Sequence, residues 1–205
     1  DYSIGKTKIS IPPTLLVTAV GILQSAEQAV TMDAKKPGDL VYLLGETYED
    51  MGCSQYASQV GTATGTVPKL RNPQITVSRY RWLHRAIKAG LVASCHDLSD
   101  GGLGVALAET AFAGNLGLVI DLREAAHDGI TRDDVLLFSE TPGRMLITVP
   151  QYASRSFEIL LGDSVRKIGL VTADKQLQIT GLSGKIEVDA ALADLKEAWQ
   201  RPLRF

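Results

Sequence analysis

The run His96-Asp97-Leu98-Ser99-Asp100-Gly101-Gly102 concentrates side chains that could do chemistry. It follows the apolar stretch 91–95, which reads as a short strand. It precedes an alanine- and leucine-rich stretch, 101–113, which reads as a helix. At such a junction the first N–H groups of the helix lack intrahelical partners and point outward. Two glycines let a ligand approach the backbone with no Cβ in the way, and the helix dipole favours an anion there. On this reading Ser99, Gly101 and Gly102 are candidate contacts to a nucleotide phosphate. Asp97 is the candidate magnesium ligand, because hard cations take carboxylate oxygens and share phosphate oxygens with nucleotides. The same residues equally satisfy a plainer reading, in which Ser99 or Asp100 caps the helix and the glycines make a tight turn. His96 has the right chemistry for an acid or base. Placed directly after an apolar strand, it is read instead as a histidine hydrogen-bonded to backbone.

Two further clusters carry polar groups. Residues 45–56, Gly-Glu-Thr-Tyr-Glu-Asp-Met-Gly-Cys-Ser-Gln-Tyr, suit either a polar loop at a cleft or a solvated loop in which Ser54 caps a short helix. In residues 138–144, Phe-Ser-Glu-Thr-Pro-Gly-Arg, Glu140 and Arg144 are expected to pair and fix the turn. Cys53 and Cys95 have no neighbouring base in sequence, which gives no support for a nucleophile. They form neither a disulfide framework nor a metal knuckle, and His84, His96 and His127 lack ligand spacing. No catalytic residue is assigned.

The elements that must position these groups follow from periodicity and turn chemistry. Residues 15–23 are a largely apolar run after Pro12-Pro13 and read as a buried strand. The turn Lys35-Lys36-Pro37-Gly38-Asp39 leads to a second buried strand, 40–45. Val77, Tyr80, Leu83 and Ile87 recur at helical spacing, with Gly90 as a C-terminal stop. Strands are expected at 116–122 and 144–149. Helices are expected from an N-cap at Thr131 to Phe138, and over 151–161. Stretches 165–172 and 176–180 read as a hairpin-like pair around Ala173-Asp174-Lys175. A final amphipathic helix is expected over 188–199, with Ala191, Leu192, Leu195 and Trp199 on one face. Helices and strands alternate while the closing strands look antiparallel, so the fold class is α+β, a mixed β-sheet between helical layers. The division expected at the Pro-Gly turn is 1–36, the end of a preceding domain or a linker strand, and 37–205, the main domain.

The bulk numbers bound the function. A chain of 205 residues can bury a full core, and 45% hydrophobic with 21% charged residues is ordinary globular composition. A net charge of −2 provides no basic field for nucleic acid. No apolar stretch is long enough to span a bilayer, and no signal-peptide pattern opens the chain. The first residue is Asp1, which suits a fragment or processed product. Reduced thiols fit a cytoplasmic location.

Taken in order, the motifs are Ile-Pro-Pro-Thr before a strand, Pro-Gly-Asp-Leu-Val-Tyr-Leu-Leu-Gly-Glu-Thr-Tyr, Gly-Cys-Ser-Gln-Tyr, His-Asp-Leu-Ser-Asp-Gly-Gly-Leu and Leu-Phe-Ser-Glu-Thr-Pro-Gly-Arg. Ile168-Gly-Leu-Val and the Ala198-Trp199 helix close the series. This set resembles the last domain of the small-type synthetase subunit of the phosphoribosylformylglycinamidine synthases and covers nearly the whole chain. The resemblance implies the C-terminal domain type of the aminoimidazole ribonucleotide synthetase superfamily. It implies an ATP-dependent carbon–nitrogen ligase of purine biosynthesis, with ATP or ADP and magnesium as cofactors and the isolated fragment inactive. The partners implied are the preceding domains of the synthetase, a glutaminase subunit that supplies ammonia and a small accessory subunit. Its auxiliary nucleotide and magnesium contacts fall on Ser99 and Asp97. The chain departs from the family's Gly-Gly-Ser-Glu-Tyr at Cys53 and Gln55. The alternatives are a non-catalytic structural or docking domain, or another synthetase of the superfamily.

Overall fold

The computed structural model describes residues 2–10, 14–61, 65–125, 127 and 129–203. Two short strands, β1 (Tyr2–Ile4) and β2 (Thr7–Ile9), form an exposed antiparallel hairpin at the start. Seven strands make the main sheet: β3 (Leu40–Leu44), β4 (Ser94–Asp97), β5 (Gly117–Asp121), β6 (Met145–Val149), β7 (Val165–Thr172), β8 (Gln176–Thr180) and β9 (Ile186–Ala191). Their order across the sheet is β4-β6-β3-β7-β5-β8-β9. Neighbours are antiparallel except β5 and β8, which run parallel. The mixed sheet between helices expected from the sequence is the fold observed.

Side-chain alternation along β3 divides the core into two layers. Val41 and Leu43 face a cluster with Leu103, Leu107, Leu118, Leu136 and Leu146. This layer lies beneath helices α3 (Gly102–Gly114), α4 (Asp133–Phe138) and α6 (Leu192–Gln200). Tyr42 and Leu44 face the other layer, which holds Leu83, Ala86, Phe157 and Leu161. These four belong to α2 (Pro73–Lys88) and α5 (Ser154–Leu161). A short helix, α1 (Gln55–Val60), completes the set.

Several local expectations require correction. Residues 15–23 are not a buried strand: Leu16, Val20 and Ile22 are 89%, 90% and 98% exposed, with no cover from the described residues. The Pro12-Pro13 entry lies outside the described residues. Strands β7 and β8 do not pair with each other, since β5 is inserted between them. The stretch read as the start of the last helix is largely β9, and α6 begins at Leu192. Helix α4 starts after Arg132 rather than Thr131, and no side chain caps it.

Candidate functional site

Strand β4 is the sheet edge and delivers the motif. His96 and Asp97 pair with Leu146 and Met145 of β6, after which Leu98 turns back into the core. The chain then reverses into α3 through Gly101 and Gly102, both in the left-handed region at φ 78° and 62°. Glycine is required at 102 by close approach as well: a Cβ there would lie 2.4 Å from the carbonyl oxygen of Ser139. Neither Ser99 nor Asp100 caps α3. The N-cap is Gly101, with no side-chain cap bond.

Both glycine N–H groups of the turn donate within the protein. Gly101 N–H donates to Glu140 Oε1 at 2.9 Å, and Gly102 N–H to the Ser99 carbonyl at 3.0 Å. The same Glu140 oxygen accepts from Gln55 N–H at 2.9 Å, so one carboxylate ties the starts of α1 and α3 together. Ser99 Oγ donates to Asp97 Oδ2. That bond, helped by the Asp97 backbone and by His96, holds the Asp97 carboxyl below its ordinary range against the opposing effect of partial burial. Asp97 itself is open to solvent, with 64% of its side chain exposed.

His96 bonds to a carboxylate rather than to backbone. Its Nε2 lies 2.8 Å from Glu109 Oε2, and the other Glu109 oxygen accepts from Trp199 Nε1 at 2.9 Å. Glu109 thus links β4, α3 and α6. Sequence reading treated it only as a helix former, because its partners lie 13 and 90 residues away.

Glu140 and Arg144 do not pair. Arg144 is 1% exposed and donates to the Thr141 carbonyl at 3.0 Å, Thr47 Oγ1 at 3.0 Å and the Ser139 carbonyl at 2.5 Å. Burial pushes its guanidinium down to about 10, with the Asp50 carboxylate opposing. Asp50, fully buried, receives a two-pronged bond from Arg71 at 2.7 and 2.8 Å and a third from Thr141 Oγ1 at 2.8 Å. Arg71 carried no sequence signal, lying in a stretch without periodicity. In the 45–56 cluster, Ser54 caps α1 by accepting from Ala57 N–H at 3.1 Å. Tyr56 stacks on Phe138 with ring centres 4.7 Å apart.

These positions test the implied nucleotide and magnesium. Asp97 offers one carboxylate, and no group of three or more His, Cys, Asp or Glu able to hold a metal occurs among the described residues. The Ser99 hydroxyl and the Gly101 and Gly102 N–H groups already have internal acceptors. Glu140 supplies the negative charge that would otherwise come from a ligand. A nucleotide phosphate drawing on these three groups would have to displace those bonds.

A mixed sheet clad by helices on both faces, with a glycine turn opening α3, defines an α+β domain. The family model for the AIR synthase related protein, C-terminal domain, matches residues 36–181, and the chain belongs to that family. It is 34% identical over 194 residues to the phosphoribosylformylglycinamidine synthase subunit PurL of Lactobacillus helveticus, covering 95% of this chain and 25% of that protein. Against the same subunit of Limosilactobacillus reuteri the identity is 36% over 195 residues, with the same coverage. The chain therefore spans about a quarter of the length of these curated relatives. Its fold matches T. maritima PurL complexed with FGAR at a TM-score of 0.71 and 17% identity, covering 83% of this chain and 30% of that one. It also matches the hydrogenase maturation protein HypE in complex with ATP, at a TM-score of 0.57 and 16% identity, covering 82% and 54%. No described helix is long and apolar enough to cross a membrane.

Proposed function

We propose that this chain is the C-terminal domain of a cytoplasmic phosphoribosylformylglycinamidine synthase. The observation that carries the reading is its 34–36% identity to PurL subunits along 95% of its length. The whole protein would be an ATP-dependent carbon–nitrogen ligase. ATP would activate the amide oxygen of formylglycinamide ribonucleotide, and ammonia from a glutaminase subunit would displace phosphate to give the amidine and ADP. A small accessory subunit would complete the assembly. Within it this domain acts as a scaffold, and residues 1–36 belong to the preceding domain or to a linker strand. The exposed apolar side chains of 15–23 support that division, since they would need cover. Another synthetase of the superfamily is less well supported, because the PurL subunits share 34–36% identity with the chain, against 16% for HypE.

Two measurements test this reading. The full-length protein that contains this chain should form ADP only when formylglycinamide ribonucleotide and ammonia or glutamine are both supplied. Failure to do so overturns the ligase assignment. The scaffold role predicts that Asp97→Ala and Ser99→Ala in the full-length protein retain turnover. It also predicts that Mg-ADP gives no saturable heat on the present chain. A saturable heat abolished by Asp97→Ala would restore nucleotide binding to the turn.

A further inference from the structure

A polar cleft of about 280 Å³ lies elsewhere in the domain, with none of the glycine-turn residues in its lining. It is bounded by the loop after β3, the start of α2 and residues 141–144. Four cations line it: Lys69, Arg71, Arg79 and Arg144. Two carboxylates answer them. Asp50 is fully engaged by Arg71 and Thr141. Glu46 takes a bond from the Tyr48 hydroxyl at 2.7 Å and lies 3.8 Å from Arg79 Nη2, beyond hydrogen-bond reach. The cleft therefore holds an excess of positive charge in a chain whose net charge is −2.

Arg79 is the group that points to a ligand. Its side chain is 19% exposed, yet its Nε is buried and has no hydrogen-bond partner. A buried guanidinium N–H without an acceptor is costly, and an acceptor supplied from outside the chain is one way such a group is satisfied in a native fold. Lys69 is exposed and lines the same cleft. Thr76, on the first turn of α2 and also lining the cleft, already gives its hydroxyl to the Asn72 carbonyl.

The geometry points to a phosphate-binding site in this cleft, with Arg79 as the anchoring donor and Lys69 closing over the anion. A guanidinium edge matches two oxygens of a tetrahedral anion, and an ammonium adds a mobile point charge. A phosphate seated on Arg79 replaces the loose contact to Glu46 and satisfies Nε. The site is separate from the glycine turn and stands whether or not the ligase assignment holds.

Inorganic phosphate is the probe, titrated into the chain at constant ionic strength and followed by the Arg79 Nε–Hε resonance. The expected result is a saturable shift complete by about 10 mM. Lys69→Gln and Arg79→Gln should each weaken it, the latter about tenfold, with thermal midpoints close to the parent. Lys69 is exposed, so that variant keeps the test valid if Arg79→Gln folds poorly. A shift that grows linearly without saturating overturns the site, as does saturable binding unchanged by both variants. Competition by AMP shows that the site accepts a phosphate monoester. Undiminished phosphate binding in excess AMP shows a site for the free ion.

Discussion

The carboxylate of Glu140 lies 2.9 Å from the amide nitrogen of Gly101, and it is the protein's own anion at the start of α3. The same oxygen holds Gln55 of α1. A position that suggests a ligand site in the sequence is thus a structural joint between two helices and the loop entering β6. Replacing Glu140 by alanine should cost about 2–3 kcal/mol, since two N–H donors lose a charged acceptor. Glutamine should cost about half as much. Urea unfolding measures both, and an alanine variant within about 0.5 kcal/mol of the parent would remove the joint from the account.

The two left-handed glycines Gly102 and Gly90 should respond very differently to alanine. At Gly102 the new Cβ meets the Ser139 carbonyl oxygen at 2.4 Å, so backbone must shift. At Gly90, φ 69°, nothing lies within 4 Å. Gly90→Ala should cost about 1 kcal/mol for the left-handed conformation alone. Gly102→Ala should cost about 3 kcal/mol or more. Equal losses in denaturant titrations would contradict the close approach.

The cysteines should separate under alkylation. Burial, with help from the Asp97 charge, pushes the Cys95 thiol up to about 11, whereas Cys53 is exposed. At pH 8 only about one Cys95 in a thousand is thiolate, so one thiol per chain should react quickly and the other slowly. The linkage has a sign. Above pH 9 the unfolded chain releases this proton while the folded chain keeps it, so stability from this group falls as pH rises towards 11. Two fast thiols in the native chain would contradict the burial.

Removing the Ser99 hydroxyl should be visible at Asp97. The serine donates to that carboxylate and is the largest cause of its lowered pKa. Ser99→Ala should move the Asp97 titration back towards 3.8, as followed by the carboxyl carbon resonance. The native contribution is present above 3.8 and is lost as pH falls through the depressed value, so the variant should lose less stability on acidification. An unmoved titration would assign the depression to His96 or to backbone.

The apolar run over 15–23 should tolerate charge. Leu16 and Ile22 are 89% and 98% exposed, so Leu16→Glu with Ile22→Glu should leave the unfolding midpoint unchanged and reduce self-association. In a longer chain carrying the preceding domain, the same pair should destabilise. Equal stability there would leave the proposed cover without support.

What could be read from the sequence was local. Strands β7 and β8 were located with correct ends, because each is a β-rich run bounded by turn residues. Their lack of mutual pairing is not legible, since β5, which ends at Asp121, well before either begins, intervenes. Residues 15–23 have the composition of a buried strand, but composition cannot say which polypeptide surface buries it. The Asp97–Gly102 run was found at once because its types are unusual at a strand-to-helix junction. The bond from Gly101 to Glu140 has no sequence signature, because that acceptor is 39 residues downstream. Arg144 was noticed for its charge and assigned the wrong partner. In a buried site, backbone carbonyls and one hydroxyl serve a guanidinium as acceptors, and those have no signature in sequence.

The sheet order also sets a timetable for assembly. Strand β3, at residues 40–44, gains its two neighbours only from β6 and β7, and β5 waits for β7 and β8. Strand β6 is flanked on both sides, by β4 and β3, once the chain has been made to residue 149, but β3 keeps one edge open until β7 is complete at residue 172. A ribosome-bound chain shorter than that holds apolar edges open, so collapse should come late and nearly all at once. Chaperone demand during synthesis should peak just before β7 emerges.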